Sequence, residues 1–519
     1  MSGSGAVLTA GGKATKKQLR GSALLLGGRL IAVGVNFLIQ VLIVHHLSKA
    51  DFGAWSYVLA LVAFFQTFVT LGLKRSITRF IPIYHEKGEY AKLFGTILLA
   101  LGVIVSVGAL IILAVYTWPQ AIGGLINDTG QLQGSTTALL LIMIFLVPIE
   151  AIDGLLIGLF ASFTHSRAIF FRRYVVAPAL KLGVVLLLIA FGSGVAFLAY
   201  GYMAASLLGI GIFGWLFYRM LRQNGVADHF SPRAVSFPVR EIFSFTIPLL
   251  TTDLLMVGLH STDVLMLGYF AGATEVAAYR VILPAADVNT IVMSAFVLLY
   301  MPIAARLFAK EDYSGINDLY WRTAIWLTVL SFPVFAVTFA LARPFVLTVY
   351  GDRYADSWVY LQILSLAYYF NVVLGFNGIT LKVLGRLRYM VTINVLALVL
   401  NVLLNLLLIP GFGALGAALA TAGTMMAHNL LKQAGLALVS GIEVFNRRYL
   451  WFYGMVGIFA LGLFLVQRYG DSPLYFLLPA IAVLSLLLLK ISERDLKVAD
   501  TFPELLRLPL MRFVLSTAR

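Results

Sequence analysis

The chain has 519 residues, 61% of them hydrophobic and 12% charged, where a soluble domain carries roughly a quarter of charged residues. Apolar runs fill it nearly end to end, which marks a membrane protein and sets soluble enzymes aside. With no cysteine, disulfides, a thiol nucleophile and Cys-ligated metal or iron–sulfur centres are excluded, and the net charge of +15 is informative only through its distribution.

Requiring roughly 20 mostly apolar residues per span, the sequence predicts helices near 21–46, 52–73, 93–117, 136–163, 174–190 and 195–218. A second set follows near 241–270, 276–305, 323–342, 358–381, 389–409 and 414–440, and a last pair near 449–466 and 472–489. Fourteen spans is an even number, so both termini share one side. The segments on that side (1–20, 74–92, 164–173, 219–240, 306–322, 382–388, 441–448 and 490–519) hold 30 of the 38 Lys and Arg residues, and the opposite side holds 4, Lys49, Arg343, Arg353 and Arg468. By the positive-inside rule both termini are expected in the cytoplasm, in a multi-pass protein of the inner or plasma membrane. The basic excess is thus a topology signal, and no nucleic-acid partner is expected. Lys13, Lys16 and Lys17 precede an apolar run far longer than a signal-peptide core, so the run from Gly21 is read as an uncleaved first helix. The outer loops are short, the longest being 118–135. Function is therefore expected inside the bundle. The tail 490–519, with Leu505, Leu506, Leu508 and Phe513 among charges, is read as a cytoplasmic amphipathic segment.

A weak internal repeat appears at an offset of 224, where LSKADFGAW (47–55) falls on AGATEVAAY (271–279), placing Asp51 on Glu275 and Trp55 on Tyr279. At an offset of 220, KLGVVLLLI (181–189) falls on NVLLNLLLI (401–409). An even number of helices per half makes this a parallel repeat. The expected organisation is an N-terminal segment 1–20, a lobe 21–218, a cytoplasmic linker 219–240, a second lobe 241–440, two extra helices within 449–489, and the tail 490–519.

The stretch NVLALVLNVLLNLLLIPGFGALGAALATAG (394–423) resembles the carboxy-terminal half of the polysaccharide-transporter family of flippases, within the multidrug/oligosaccharidyl-lipid/polysaccharide (MOP) exporter superfamily. RPFVLTVYGDRYADSWVYLQIL (343–364) is similar to that family's short outer amphipathic segment and next helix, and so is an arginine in the first span followed by L-S-x-x-D-F-G-x-W. The resemblance covers nearly the whole chain. It implies an all-α polytopic membrane protein with a MOP/MATE-like fold, two pseudo-symmetric six-helix lobes plus two C-terminal helices, and a central cavity that opens alternately to each side. It also implies lipid-pyrophosphate-linked oligosaccharides as substrates. In the same stretch Gly411, Gly413, Gly416, Ala417, Ala418, Ala420, Ala422 and Gly423 are read as packing residues permitting close backbone approach. Asn401 and Asn405, at i and i+4, share one helix face.

Charges inside predicted spans cost about 2.5–3.5 kcal/mol each at a helix centre, so they are expected to face protein or a wet cavity. Glu150 and Asp153 lie at i and i+3 on the fourth span and reach the depth of Lys181 on the fifth, which predicts a structural ion pair. Asp253, His260 and Asp263 form one stripe on the seventh span, and Arg280, Pro284 and Asp287 one on the eighth. His260, Asp263 and Asp287 are the candidates for a proton- or sodium-coupled site. Arg29 is eight residues into the first span, and the repeat offset carries it onto Asp253. Its guanidinium either snorkels to the headgroups or, the reading adopted here, faces the cavity with Asp253 and Arg280 as a substrate site, similar to the arginine that lipid-linked glycan flippases use for pyrophosphate. Lys74, Arg75 and Arg79 are read as positive-inside residues, with a second reading as contacts for an anionic headgroup.

A phosphate-binding loop is absent, because A10-G-G-K-A-T15 has Ala14 after the lysine and Val7 where glycine is needed. No H-E-x-x-H occurs, so neither a metal site nor a catalytic residue is expected. The sequence is read as a secondary transporter that flips lipid-linked oligosaccharide or polysaccharide repeat units by alternating access, without cofactor beyond a proton or sodium gradient. The expected partners are the lipid-linked glycan, the bilayer and other glycan-assembly membrane proteins. The alternatives are a cation-coupled MATE-like exporter, which Glu150 and Asp153 keep open, and a membrane-embedded glycan polymerase or ligase, which such short loops disfavour.

Overall fold

The computed structural model describes residues 27–119, 131–440, 442, 446–470 and 474–496. The expected cytoplasmic N-terminal segment 1–20 and the tail beyond Leu496 lie outside the described residues. Those described fold into helices without a strand, and twelve of the helices are long and apolar enough to cross a membrane. Against fourteen predicted spans, the difference has two sources. Residues Leu387–Ser440 run as one 54-residue element that contains two predicted spans, and the last predicted span, 472–489, answers to the shorter apolar helix Phe476–Ile491.

The chain divides into two compact units, 1–277 and 278–519. In the first unit, α1 is Gly27–His46 and α2 is Lys49–Thr70. Ser48 caps α2, its hydroxyl accepting from the Asp51 N–H at 3.1 Å and donating to the Asp51 carboxylate at 2.6 Å, which satisfies an orphan donor of the first turn. Two successive left-handed residues, Leu71 (φ 43°) and Gly72 (φ 70°), end α2 and reverse the chain into α3, Leu73–Glu86. This segment was expected to be a connecting loop. It is instead an amphipathic helix that buries Leu73, Ser76, Ile77, Phe80, Ile81 and Tyr84 at helical spacing, because its bases lie on the opposite face, where they lower the mean hydropathy without disturbing the apolar stripe.

The remaining helices of this unit are α4 (Tyr90–Thr117), α5 (Gln131–Met143), α6 (Leu146–Ser162), α7 (Ser166–Ala190), α8 (Val195–Gln223) and α9 (Val239–Ala271). Most of α2 is buried, packed against α4, α5, α6 and α9. Without a hydrophobic force between helices in lipid, small residues set how near they come. A Cβ on Gly53 of α2 would lie 1.8 Å from the carbonyl oxygen of Ala273, and one on Gly268 of α9 would lie 2.3 Å from the Tyr57 ring. Within α7, residues Phe171–Val176 form a π-helical turn just before Pro178, whose missing N–H cannot join the regular helical ladder. That wide turn carries Arg172 and Arg173.

In the second unit, α10 (Ala273–Ala309, which begins in the first unit) is interrupted at Val281–Ile282 and by a 3-10 turn at Val288–Thr290. Then follow α11 (Tyr313–Ala340), the short α12 (Ala342–Tyr350) and α13 (Ser357–Val383). α12 is the short amphipathic segment expected within 343–364. The centre of the unit is α11, where Tyr320, Trp321 and Trp326 are buried and Phe335 stacks on Tyr369 of α13 with ring centroids 4.0 Å apart. α14 (Leu387–Ser440) turns at Gly413 (φ 54°, ψ −130°), and a Cβ on Gly416 would lie 2.3 Å from the Leu408 carbonyl oxygen, so the element doubles back there. Of the expected packing residues Gly416, Ala417, Ala418, Ala420 and Ala422 are buried, whereas Gly411 and Gly423 are exposed. The last two spans, α15 (Leu450–Gly470) and α16 (Leu474–Ile491), pack on α11.

Candidate functional site

The first unit holds a seam of charges between α3, α6, α7 and α9. At one end Arg75 of α3 donates through its guanidinium to the Asp253 carboxylate of α9. These side chains are 44% and 27% exposed, so the pair is open to exchange. Around it the two helices are tightly joined. The Ser76 and Thr246 hydroxyls are hydrogen-bonded, and the Arg79 guanidinium lies 4.3 Å from the Phe245 ring centroid. Gly72 supplies the turn that aims α3 at α9, and a Cβ there would meet Thr246 at 3.3 Å and Asp253 Oδ2 at 3.6 Å.

At the other end Arg172 of α7 closes on Asp153 of α6, with Nε and an Nη atom 2.7 and 2.5 Å from Oδ1. This pair is dry, its side chains 7% and 15% exposed. The guanidinium fits because Gly209 of α8 has no side chain, a Cβ there falling 2.8 Å from it, and because the Phe213 ring faces it at 5.3 Å. One turn before Asp153, Glu150 accepts from the Ser206 hydroxyl of α8 at 3.1 Å. Between the two pairs stands Lys74 of α3, whose ammonium is pushed down by burial and by Arg173 and pulled back up by Asp153 and Asp253. Three carboxylates, Glu150, Asp153 and Asp253, stand among four cations, Lys74, Arg75, Arg172 and Arg173, which leaves the site one positive charge in excess. Its open pair offers a guanidinium to a competing anion, while the dry pair braces the frame.

The sequence placed Glu150, Asp153 and Asp253 correctly in spans, and the structure brings them into this one seam. The partners are different from those expected. Lys181 does not take the ion pair: its Nζ lies over the Tyr202 ring at 5.3 Å, and Arg172 pairs with Asp153 instead, since the π-helical turn rotates it inward. Arg29 does not meet Asp253 either. It is exposed on α1, its neighbour Gly28 packs against Phe170 and Tyr174, and Arg75 holds Asp253. His260, exposed, and Asp263, buried, lie on α9. In the second unit Arg280 is partly buried near Tyr279 and Tyr368, and exposed Asp287 accepts from the Thr290 hydroxyl at 3.2 Å. Arg172 was missed as a site residue because bases near helix ends read as topology charges, and Arg75 was read first in the same way, with contact to an anionic headgroup as its second reading; the apolar period of 3.6 running beneath Arg75 was a further hint.

The sequence model of a family described as polysaccharide biosynthesis proteins matches residues 18–308, and that of the MatE family matches 248–407. An uncharacterized membrane protein of Methanocaldococcus jannaschii is 22% identical over 420 residues, which cover 78% of this chain and 81% of that protein. Among solved structures, the lipid II flippase MurJ in an inward closed conformation superposes with a TM-score of 0.70 at 13% identity, over 91% of this chain and 99% of that one. An inward-facing multidrug resistance MATE family transporter of the MOP superfamily superposes with a TM-score of 0.66 at 12% identity, over 81% and 98%. At such identities the likeness is one of fold, and the fold is the one these two proteins share.

Proposed function

The chain belongs to the polysaccharide biosynthesis protein family; from that premise we propose that it is a multi-pass transporter of the MOP superfamily that flips lipid-(pyro)phosphate-linked oligosaccharide or polysaccharide repeat units across the cytoplasmic membrane by alternating access. The termini and basic loops face the cytoplasm in this reading, and a proton or sodium gradient drives the cycle. Other glycan-assembly membrane proteins are its working partners. The observation that carries the proposal is the open Arg75–Asp253 pair within a positively charged seam. A pyrophosphate brings two or more negative charges, and guanidinium matches its oxygens in a bidentate way. It therefore displaces the single carboxylate of Asp253. Releasing Asp253 loosens α3 from α9, which supplies the difference in interaction between two states that a ligand-driven conformational change requires.

The test is flipping of a fluorescent polyprenyl-pyrophosphate oligosaccharide in proteoliposomes containing the full chain. Wild type moves the label and Arg75→Ala moves it about 10- to 100-fold more slowly; equal rates at equal reconstitution remove the headgroup role of Arg75. A second reading, a cation-coupled exporter of small molecules, is favoured by the MatE match over 248–407 and by the carboxylates Glu150 and Asp153 on α6. Proteoliposomes that extrude a cationic dye under a pH gradient and leave the lipid probe in place decide for it.

A further inference from the structure

Residues 357–442 contain four bases, Lys382, Arg386, Arg388 and Lys432, and no Asp or Glu. The structure brings two of these bases together. Lys432, half-buried on the second arm of α14, lays its stem along Gly378 of α13, where a Cβ would stand 3.5 Å from Cδ and 3.7 Å from Cε. Lys382 is one helical turn beyond Gly378 on the same face, near enough for its charge to act on Lys432. Arg386 and Arg388 follow it, both exposed.

The polar groups around Lys432 are engaged with one another. His428, one turn earlier on α14, places Nε2 2.9 Å from Asn394 Oδ1. Asn377 donates to Asn429 Oδ1 at 3.3 Å, and Gln433 Oε1 accepts from the Tyr320 hydroxyl at 2.6 Å. Among the described residues no carboxylate forms an ion pair with Lys382 or Lys432. A half-buried ammonium beside a second, exposed one, with the nearby amide acceptors already engaged, is placed to meet a counter-charge from outside the chain.

We propose that Lys432 and Lys382 form a subsite for the phosphate oxygens of a membrane-lipid headgroup. Lysine acts as a point charge toward phosphate. Lys432 lies eight residues before the end of α14 at Ser440, about 12 Å along the helix, a depth that a headgroup reaches from the membrane surface and a free anion reaches only by leaving water. Both lysines lie on helices long and apolar enough to span the membrane. The site lies wholly in the second unit and does not depend on which substrate the chain transports.

The experiment uses the full chain, purified in detergent and stripped of lipid, with added dioleoylphosphatidylglycerol or polyprenyl monophosphate, read by native mass spectrometry and by thermal melting. Wild type is expected to retain at least one of the two lipids and to melt higher with it. Lys432→Gln loses the adduct and the lipid-dependent shift, yet without lipid it melts no lower than wild type, because an uncompensated cation has been removed. Lys432→Arg keeps the adduct. Preference for polyprenyl monophosphate assigns the site to a substrate-type lipid, and equal or greater retention of phosphatidylglycerol assigns it to the bilayer. A wild-type lipid shift preserved in Lys432→Gln, or no shift with either lipid in wild type, overturns the proposal.

Discussion

Arg75 and Asp253, 178 residues apart in the chain, are joined in an ion pair that ties the amphipathic helix α3 to α9. Its partial exposure separates two quantities. An open pair contributes about 0–1 kcal/mol to stability, whereas the same guanidinium held against a phosphate is worth about 1.5–3 kcal/mol. Arg75→Ala should therefore leave the melting temperature almost unchanged and lower lipid-pyrophosphate flipping by about 10- to 100-fold. Arg75→Lys should fall between, because it keeps the charge and loses the planar fork. A variant that melts far below wild type assigns Arg75 a structural task instead.

The Asp153–Arg172 pair should behave in the opposite way. Removing one partner of a dry pair strands a charge and costs about 3–5 kcal/mol. Arg172→Met and Asp153→Leu are each expected to melt well below wild type, and the double variant to recover much of the loss. A double variant whose loss is the sum of the two singles means that the groups do not act on each other.

The Ser76 and Thr246 hydroxyls are in direct hydrogen-bond contact, and the chain has no cysteine. Ser76→Cys with Thr246→Cys should therefore form one disulfide on oxidation, stopping transport reversibly until reductant is added. Full transport by the crosslinked protein shows that α3 and α9 need not part.

Gly53 meets the backbone of Ala273, where no flexible side chain gives way. Gly53→Val should push α2 from the turn that follows α9 and cost at least the roughly 1–3 kcal/mol of an overpacked site. Normal expression and melting of this variant contradict the close approach.

We propose His260, Asp263 and Asp287 as the coupling residues, with Glu150 and Asp153 as the alternative. Transport rates measured under imposed proton and sodium gradients should lose their dependence in Asp263→Asn or Asp287→Asn. Wild-type dependence in both transfers the assignment to Glu150→Gln as the next variant.

The apolar runs and the skew of basic residues made the membrane-spanning helices legible, because a segment of roughly 20 residues must satisfy its own backbone in lipid whatever its neighbours are. Glu150, Asp153 and Asp253 were recognisable for the same reason: a carboxylate among Leu and Val carries a cost that demands compensation. Which cation compensates each was not legible. Equal depth favoured Lys181 for Asp153 and the repeat favoured Arg29 for Asp253, yet depth fixes only one coordinate and leaves rotation about the helix axis open. The π-helical turn before Pro178 set that rotation for Arg172, and the left-handed pair Leu71–Gly72 set the path that brings Arg75 to α9. Both are backbone events that side-chain hydropathy does not encode. The sequence by itself determined that these charges lie within spans and must be matched; only the tertiary structure, by orienting the helices, decided with what.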